Sequence, residues 1–375
     1  MKILADAHIP YLEGVAEQFG EVSYLPGDQF TKEAVKDKDV LIVRTVTHFD
    51  EKILKDSQVK LICSATIGYD HIDTEYCDRN NIIWRTAPGC NARSVEQYVI
   101  ASLLRMSEKN DFNLRDKTIG IVGVGNVGKE VARACELLGM KVLLNDPPRQ
   151  EAENSDAFVD LITIQKEADI ITFHTPLTKG GEHATYHLAD ANFFMTLMKE
   201  PIIINSSRGA VVDNQALKRA IRNEYVSGAI IDTWENEPNI DRNLLKLVDI
   251  GTPHIAGYSA DGKWNATKMS LHNINEVFNL ERYPVELNPI LEPENKMIDA
   301  SIYNIKDELR EVILKTYDPL KDSRLLKENP ANFSYFRSHY PLRREYKAYT
   351  IKYLSEENMS LAEEIGFNIE RSENH

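Results

Sequence analysis

"TIGIVGVGNVGKEVARACELLGMKVLLND", Thr118 to Asp146, reads as a strand, a glycine turn, a helix and a second strand. Thr118 to Val122 is rich in β-branched residues, as a buried strand requires. Gly123, Gly125 and Gly128 follow in G-x-G-x-x-G register, with Asn126 and Val127 inside the loop. The first glycine permits the tight turn, and the second lets the backbone approach a pyrophosphate. The third packs helix on strand, so that the helix N-terminus faces the anion. Asp146 closes the second strand where a ribose-binding acid belongs. Its carboxylate can accept hydrogen bonds from both ribose hydroxyls of NAD and would repel the 2′-phosphate of NADP. Arg149, three residues on, would offset that repulsion only in part. NAD is therefore the expected cofactor.

The same rhythm extends both ways. "KILAD", "VLIVRT", "LICSAT" and "IIWRTA" read as strands, with "YLEGVAEQFG" and "DEKILKDS" as helical stretches between them. "SVEQYVIASLLRMSEKN" reads as a long amphipathic helix. Downstream come "ADIITFHTPLT", "PIIINSSRG", "GAIIDTW" and "LLKLVDIGTPHIAG". Such alternation implies an α/β fold with two doubly wound, Rossmann-like parallel-sheet domains. From about Leu280 the pattern gives way to Pro, Glu and Tyr ("ERYPVELNPILEPENK"), which reads as a linker into a small α+β C-terminal domain.

Composition narrows the class. The 375 residues are 42% hydrophobic and 27% charged, ordinary values for a globular protein. A net charge of -14 argues against nonspecific nucleic-acid binding and against anionic membrane surfaces. No apolar run is long enough to span a bilayer. "MKILADAHIP" starts like a strand and not like a signal peptide. Cys63, Cys77, Cys90 and Cys135 form no C-x-x-C pair, so no metal site or disulfide framework is expected, and a reducing cytoplasm fits. An anion site in so acidic a chain must be built locally, from arginines and helix N-termini.

Three ionisable residues follow three strand-like segments of the glycine-loop half. Arg208 follows "IIINSS", Glu237 lies in "IIDTWENEP", and His254 in "DIGTPHIAG". Ligands of open α/β sheets bind outside the carboxyl ends of the strands. Arginine can hold a carboxylate through two parallel hydrogen bonds and polarise the oxygen beside it. Histidine exchanges a hydroxyl proton near neutral pH, and a carboxylate beside it fixes the tautomer and stabilises the imidazolium. The set suits hydride chemistry at a carbon next to a carboxylate.

The pieces "ATIGYDHID", "NARSVEQYVIASLL", "TIGIVGVGNVGKEVA", "HTPLT", "INSSRGAVVD", "GAIIDTWENEP" and "TPHIAG" resemble, in order, a D-isomer-specific 2-hydroxyacid dehydrogenase. The resemblance covers roughly residues 40 to 280. It implies Arg208 as the substrate-binding electrophile, Glu237 as the orienting carboxylate and His254 as the acid/base. It implies Thr175, Ser206, Ser207, Asp232 and Gly257 as further cofactor contacts. It also implies a flavodoxin-like substrate domain of residues 1–93 and 258–280, a Rossmann domain of residues 94–257, and an interdomain cleft. The backbone of Ala65 to Asp70, with Thr66, Ile67 and Gly68, would cradle the substrate carboxylate.

Three features are less generic: Tyr258 after "HIAG", the expanded "TKGGEHATYHLAD", and the segment after Leu280 with "FSYFRSHYPLRREYKAY". They resemble the branch of the family that oxidises a phosphorylated 2-hydroxy acid and forms a homodimer through a C-terminal domain, here residues 281–375. Arg44, Thr45, Thr66 and Tyr258 would then touch this small anionic substrate. Arg44 and the pair Arg343 and Arg344 are candidates for its phosphate, the pair otherwise reading as a solvated helix face. Two alternatives stay open: a glycerate or phosphoglycerate type of dehydrogenase, and a noncatalytic NAD-sensing scaffold.

Overall fold

Among the described residues every strand pairs in parallel within one of three sheets. The computed structural model describes residues 1–280 and 285–371. The chain divides into Met1–Asn91 with Ser259–Leu291, and Ala92–Tyr258 with Glu292–His375. The expected start of the C-terminal domain, residue 281, lies outside the described residues.

In the first unit, β1 (Lys2–Asp6), β2 (Glu21–Leu25), β3 (Val40–Val43), β4 (Leu61–Ser64) and β5 (Ile83–Arg85) form a sheet in the order β2-β1-β3-β4-β5. That is the flavodoxin-like order, with its switch point between β1 and β3. The inner strands β3 and β4 are buried throughout, as their unbroken apolar runs require. One face packs Ile3, Ile42 and Leu61 against Leu271 and Ile274 of the helix Ala260–Phe278. The other packs Leu4, Leu41 and Ile62 against Phe30, Phe49 and Leu54. Each large apolar side chain so buried contributes about 1.5–3 kcal/mol.

Two local expectations differ from the structure. "YLEGVAEQFG" forms only the single 3₁₀ turn Ala16–Phe19. Gly14 sits at φ +82°, a left-handed conformation that a right-handed helix cannot contain. "EVSYL" is the edge strand β2, half-exposed and polar enough to lack a core-strand pattern.

In the second unit, β6 (Thr118–Val122), β7 (Lys141–Asn145), β8 (Ile170–Phe173), β9 (Ile202–Asn205), β10 (Gly228–Ile231) and β11 (Ile250–Gly251) run in the order β11-β10-β9-β8-β6-β7. A parallel bridge from Leu144 to Phe158 extends the edge beyond β7. With that extension the order is that of a dinucleotide-binding sheet, and the switch point falls between β6 and β8. The helices Ala92–Asn110 and Asn126–Leu137 contribute to the core on one face. Leu161–Glu167, Ala191–Met195, Asn214–Arg222 and Arg242–Leu247 contribute to the other.

The C-terminal segment adds a third sheet of β12 (Met297–Asp299), β13 (Thr350–Lys352) and β14 (Asn368–Ile369). Its Ile298, Val312 and Ile351 join the same core as Tyr98 and Ile119 of the glycine-loop half. All four cysteines are buried and none is in a disulfide. Among the described residues no helix is long and apolar enough to cross a membrane.

Candidate active site

The glycine turn is built by close approach. A Cβ on Gly128 would lie 2.0 Å from the Gly123 carbonyl oxygen, so helix Asn126–Leu137 reaches β6 only with glycine there. A Cβ on Gly125 would meet nothing within 4 Å, which leaves that stretch of backbone open to a ligand. No side chain caps the helix start at Asn126 and Val127, and its first turn holds no acid. Its amides and dipole are thus left for an external anion. Asp146 follows β7 with one carboxylate oxygen 2.8 Å from the Val124 amide and the other 3.2 Å from that of Arg149. Arg149 itself is forked onto Glu153 at 2.7 and 2.9 Å.

Three buried hydroxyls mark the ends of adjacent strands. Thr175 follows β8, Ser206 follows β9 and Thr233 follows β10, and none of their oxygens has a hydrogen-bond partner among the described residues. Buried polar atoms in folded proteins are almost always paired. The open glycine turn, the uncapped helix and these hydroxyls fit a dinucleotide laid across the ends of the strands. Thr233 escaped the sequence reading, since a threonine after a strand carries no signal of its own.

The turn after β9 explains why a glycine follows Arg208. The buried Asn205 side chain accepts from the Ser207 amide and hydroxyl at 3.1 and 3.0 Å and donates to the Arg208 carbonyl at 3.0 Å. Arg208 is extended, and one of its Nη atoms donates to the Ser207 carbonyl at 2.9 Å. A Cβ on Gly209 would lie 1.9 Å from the Trp234 carbonyl oxygen. The Arg208 turn therefore rests directly on the backbone that leads to Glu237. The "TKGGEHATYHLAD" segment braces the same turn. The His187 amide donates to the Ala210 carbonyl at 2.7 Å, and its Nε2 lies 2.7 Å from Glu235 Oε1.

Glu237 and His254 form one unit. Glu237 Oε2 lies 2.8 Å from His254 Nδ1, and Oε1 accepts from the Trp234 amide at 2.8 Å. Burial alone would raise the Glu237 carboxyl. The hydrogen bond and charge of His254, the Trp234 amide and the charge of Arg337 together hold it below its ordinary value. With Nδ1–H donated to Glu237, His254 Nε2 is left as the proton acceptor.

His254 stands on a turn with φ +57°. Asp232, 1% exposed, organises it. Its carboxylate accepts from the Thr252 hydroxyl at 2.6 Å and from the Ile255 and Ala256 amides at 2.8 and 2.9 Å. Its carbonyl accepts from the His254 amide at 2.9 Å. Gly257 and Tyr258 follow, with the Tyr258 amide on the Ile255 carbonyl at 2.8 Å.

Arg337, on the C-terminal helix Phe333–Ser338, was not anticipated at this site. Its Nε donates to the Tyr258 hydroxyl at 3.0 Å, and Nη1 lies 3.9 Å from Glu237 Oε2. The anticipated arginines of that segment do something else. Arg343 and Arg344 are buried, 5% and 7% exposed, and do not lie on a solvated helix face. Arg343 Nη2 donates to Ser94 Oγ and to the Ala256 carbonyl, and the guanidinium stands 4.5 Å from the Tyr317 ring centroid. It braces the His254 turn from behind, which corrects its assignment to the phosphate.

In the first unit, Arg44 is forked onto the buried Asp6 at 2.8 and 3.2 Å. Thr45 is exposed. The Thr66 hydroxyl is 2.7 Å from that of Ser64 and donates to the Gly68 carbonyl at 3.2 Å, shaping the loop through Ile67. His71, whose Nε2 is 3.2 Å from Ser64 Oγ, is pushed down to about 4 by burial.

Residues 91–256 match the NAD-binding domain of D-isomer specific 2-hydroxyacid dehydrogenases, and residues 291–366 match a domain of unknown function. The chain is 51% identical to the erythronate-4-phosphate dehydrogenase of Bacteroides thetaiotaomicron, over 94% of this chain and 99% of the relative. It is 38% identical to that of Photorhabdus laumondii, over 99% and 100%. Among solved structures, NAD+-bound 3-phosphoglycerate dehydrogenase of Entamoeba histolytica superposes with a TM-score of 0.64 at 27% identity, over 78% of this chain and 99% of that one.

Proposed function

Because the chain belongs to the erythronate-4-phosphate dehydrogenases, within the D-isomer-specific 2-hydroxyacid dehydrogenases, we propose that it oxidises 4-phospho-D-erythronate to (R)-3-hydroxy-2-oxo-4-phosphooxybutanoate. This step serves pyridoxal 5'-phosphate (vitamin B6) biosynthesis. NAD, when bound, supplies the hydride acceptor. It would be held by Gly123, Gly125, Asn126, Val127, Gly128, Asp146, Thr175, Ser206, Ser207, Asp232 and Gly257.

The chain's own residues handle the proton and the charge. His254 Nε2 takes the proton of the 2-hydroxyl as the oxygen becomes a carbonyl. Glu237 fixes the required tautomer and stabilises the imidazolium that forms. Arg208 grips the carboxylate and polarises the reacting oxygen. Arg44, Thr45, Thr66, Ile67, Gly68 and Tyr258 are assigned to substrate contacts. The observation that carries the reading is the 2.8 Å Glu237–His254 pair.

The enzyme works in the cytoplasm as a homodimer formed through the C-terminal domain, residues 281–375. Ile302, Ile305 and Tyr353, exposed apolar side chains of that segment, support such pairing. The test is NAD reduction against 2-hydroxy acids with and without a 4-phosphate, with sedimentation for the oligomer. Preference for glycerate or 3-phosphoglycerate overturns the substrate. Absence of turnover with every acid overturns the enzyme reading in favour of a scaffold.

A further inference from the structure

We propose that Arg337 recognises the distal phosphate of the substrate, an inference that rests on the substrate named above. A phosphorylated hydroxy acid brings close to three negative charges to a protein of net charge -14. Its phosphate needs an accessible cation whose N–H groups are not already bonded. Arg149 is forked onto Glu153 and Arg44 onto Asp6, while Arg343, whose Nε and Nη1 make no hydrogen bond among the described residues, is only 5% exposed. Arg337 differs from all three. Its side chain is 32% exposed, and its nearest carboxylate oxygen is 3.9 Å away, beyond hydrogen-bond distance. Among the described residues neither of its Nη atoms makes a hydrogen bond, while Nε is held by the Tyr258 hydroxyl.

The guanidinium is thus anchored at one edge and open at the other. Two free Nη groups match the oxygens of a phosphate in a planar fork. Placement fits as well. Arg337 Nη1 and His254 Nδ1 address the same oxygen, Glu237 Oε2. The cation and the acid/base therefore lie within a few ångström of one another, on the scale of a four-carbon acid. The residue belongs to the C-terminal segment matched by the domain of unknown function.

The competing role is structural: Arg337 would only hold Glu237 ionised and Tyr258 in place. Steady-state kinetics of wild type, Arg337→Gln and Arg337→Lys separate the two. The ratio of kcat/KM for 4-phosphoerythronate to that for erythronate should fall on the order of 10–100-fold in Arg337→Gln, mostly through KM, with partial rescue in Arg337→Lys. Competitive inhibition by inorganic phosphate should weaken in parallel, which keeps the test decisive if erythronate turns over too slowly to measure. An unchanged ratio, or an unchanged inhibition constant for phosphate, overturns the inference. A wild type inert towards 4-phosphoerythronate but active on another hydroxy acid overturns the substrate reading itself.

Discussion

Glu237 Oε2 lies 2.8 Å from His254 Nδ1 while the other oxygen of Glu237 accepts the Trp234 amide, so one carboxylate ties the backbone after β10 to the His254 imidazole. His254→Ala should lower kcat on the order of 10²–10⁴-fold, the scale of general base catalysis. Glu237→Gln should cost less, about 10–100-fold, the scale of a charge-assisted hydrogen bond. NAD-reduction assays with saturating substrate check both. Near-normal turnover in His254→Ala would remove it from the mechanism.

The depressed Glu237 carboxyl also sets a pH dependence. A carboxylate held below its ordinary 4.5 contributes stability that is complete above that value and is lost as pH falls through the folded value. Urea midpoints of wild type and Glu237→Gln should therefore differ at pH 7 and approach one another as pH falls below 4.5 through the folded value.

His71, in the first unit, is shifted mainly by desolvation, with the charge of Asp70 opposing the shift and that of His48 adding to it. Buried neutral and pushed down from 6.5 to about 4, it contributes stability that is complete above pH 6.5. That contribution declines as pH drops towards 4, by roughly 3 kcal/mol at about 1.4 kcal/mol per pH unit. Denaturation of wild type and His71→Gln between pH 7 and pH 4 tests this. The wild type should lose more stability across that window than the variant.

Gly209→Ala should misplace Arg208. The added methyl carbon would sit 1.9 Å from a backbone oxygen, so the turn must move. The expected cost is about 1–3 kcal/mol of stability, with a fall in kcat/KM exceeding that of a surface substitution such as Lys129→Ala. Calorimetry and kinetics on the same preparations check it.

Asp146→Ala should narrow the preference for NAD over NADP by at least about tenfold, the worth of one charged contact. With Arg149 forked onto Glu153, the wild type should keep a strong preference despite an arginine three residues away. Equal use of both cofactors by wild type would overturn the assignment of Asp146.

The parts of this site that could be read in advance are those whose chemistry is local. Gly123, Gly125 and Gly128 announce themselves because the turn, the helix start and the close packing are all written within a few residues. Arg208, Glu237 and His254 could be placed at strand ends because apolar runs precede each. Arg337 could not, since it meets Glu237 across 100 residues of chain and its own neighbourhood, "FSYFRSHYP", shows only a short aromatic helix. Arg343 misled for the opposite reason. A pair of arginines in a polar stretch reads as solvated, and only the fold supplies Ser94, Ala256 and Tyr317 to receive it.

Asp232 accepts every donor that the 252–256 turn directs at it, which decides when the His254 imidazole becomes aligned. The ordering entropy of that turn is met as the chain folds and does not fall on the encounter with substrate. With His254 as the proposed base, the imidazole is aimed beforehand, and the alignment component of the activation barrier should already be small when the hydroxy acid arrives. Reorganisation during turnover is left to the ligands themselves.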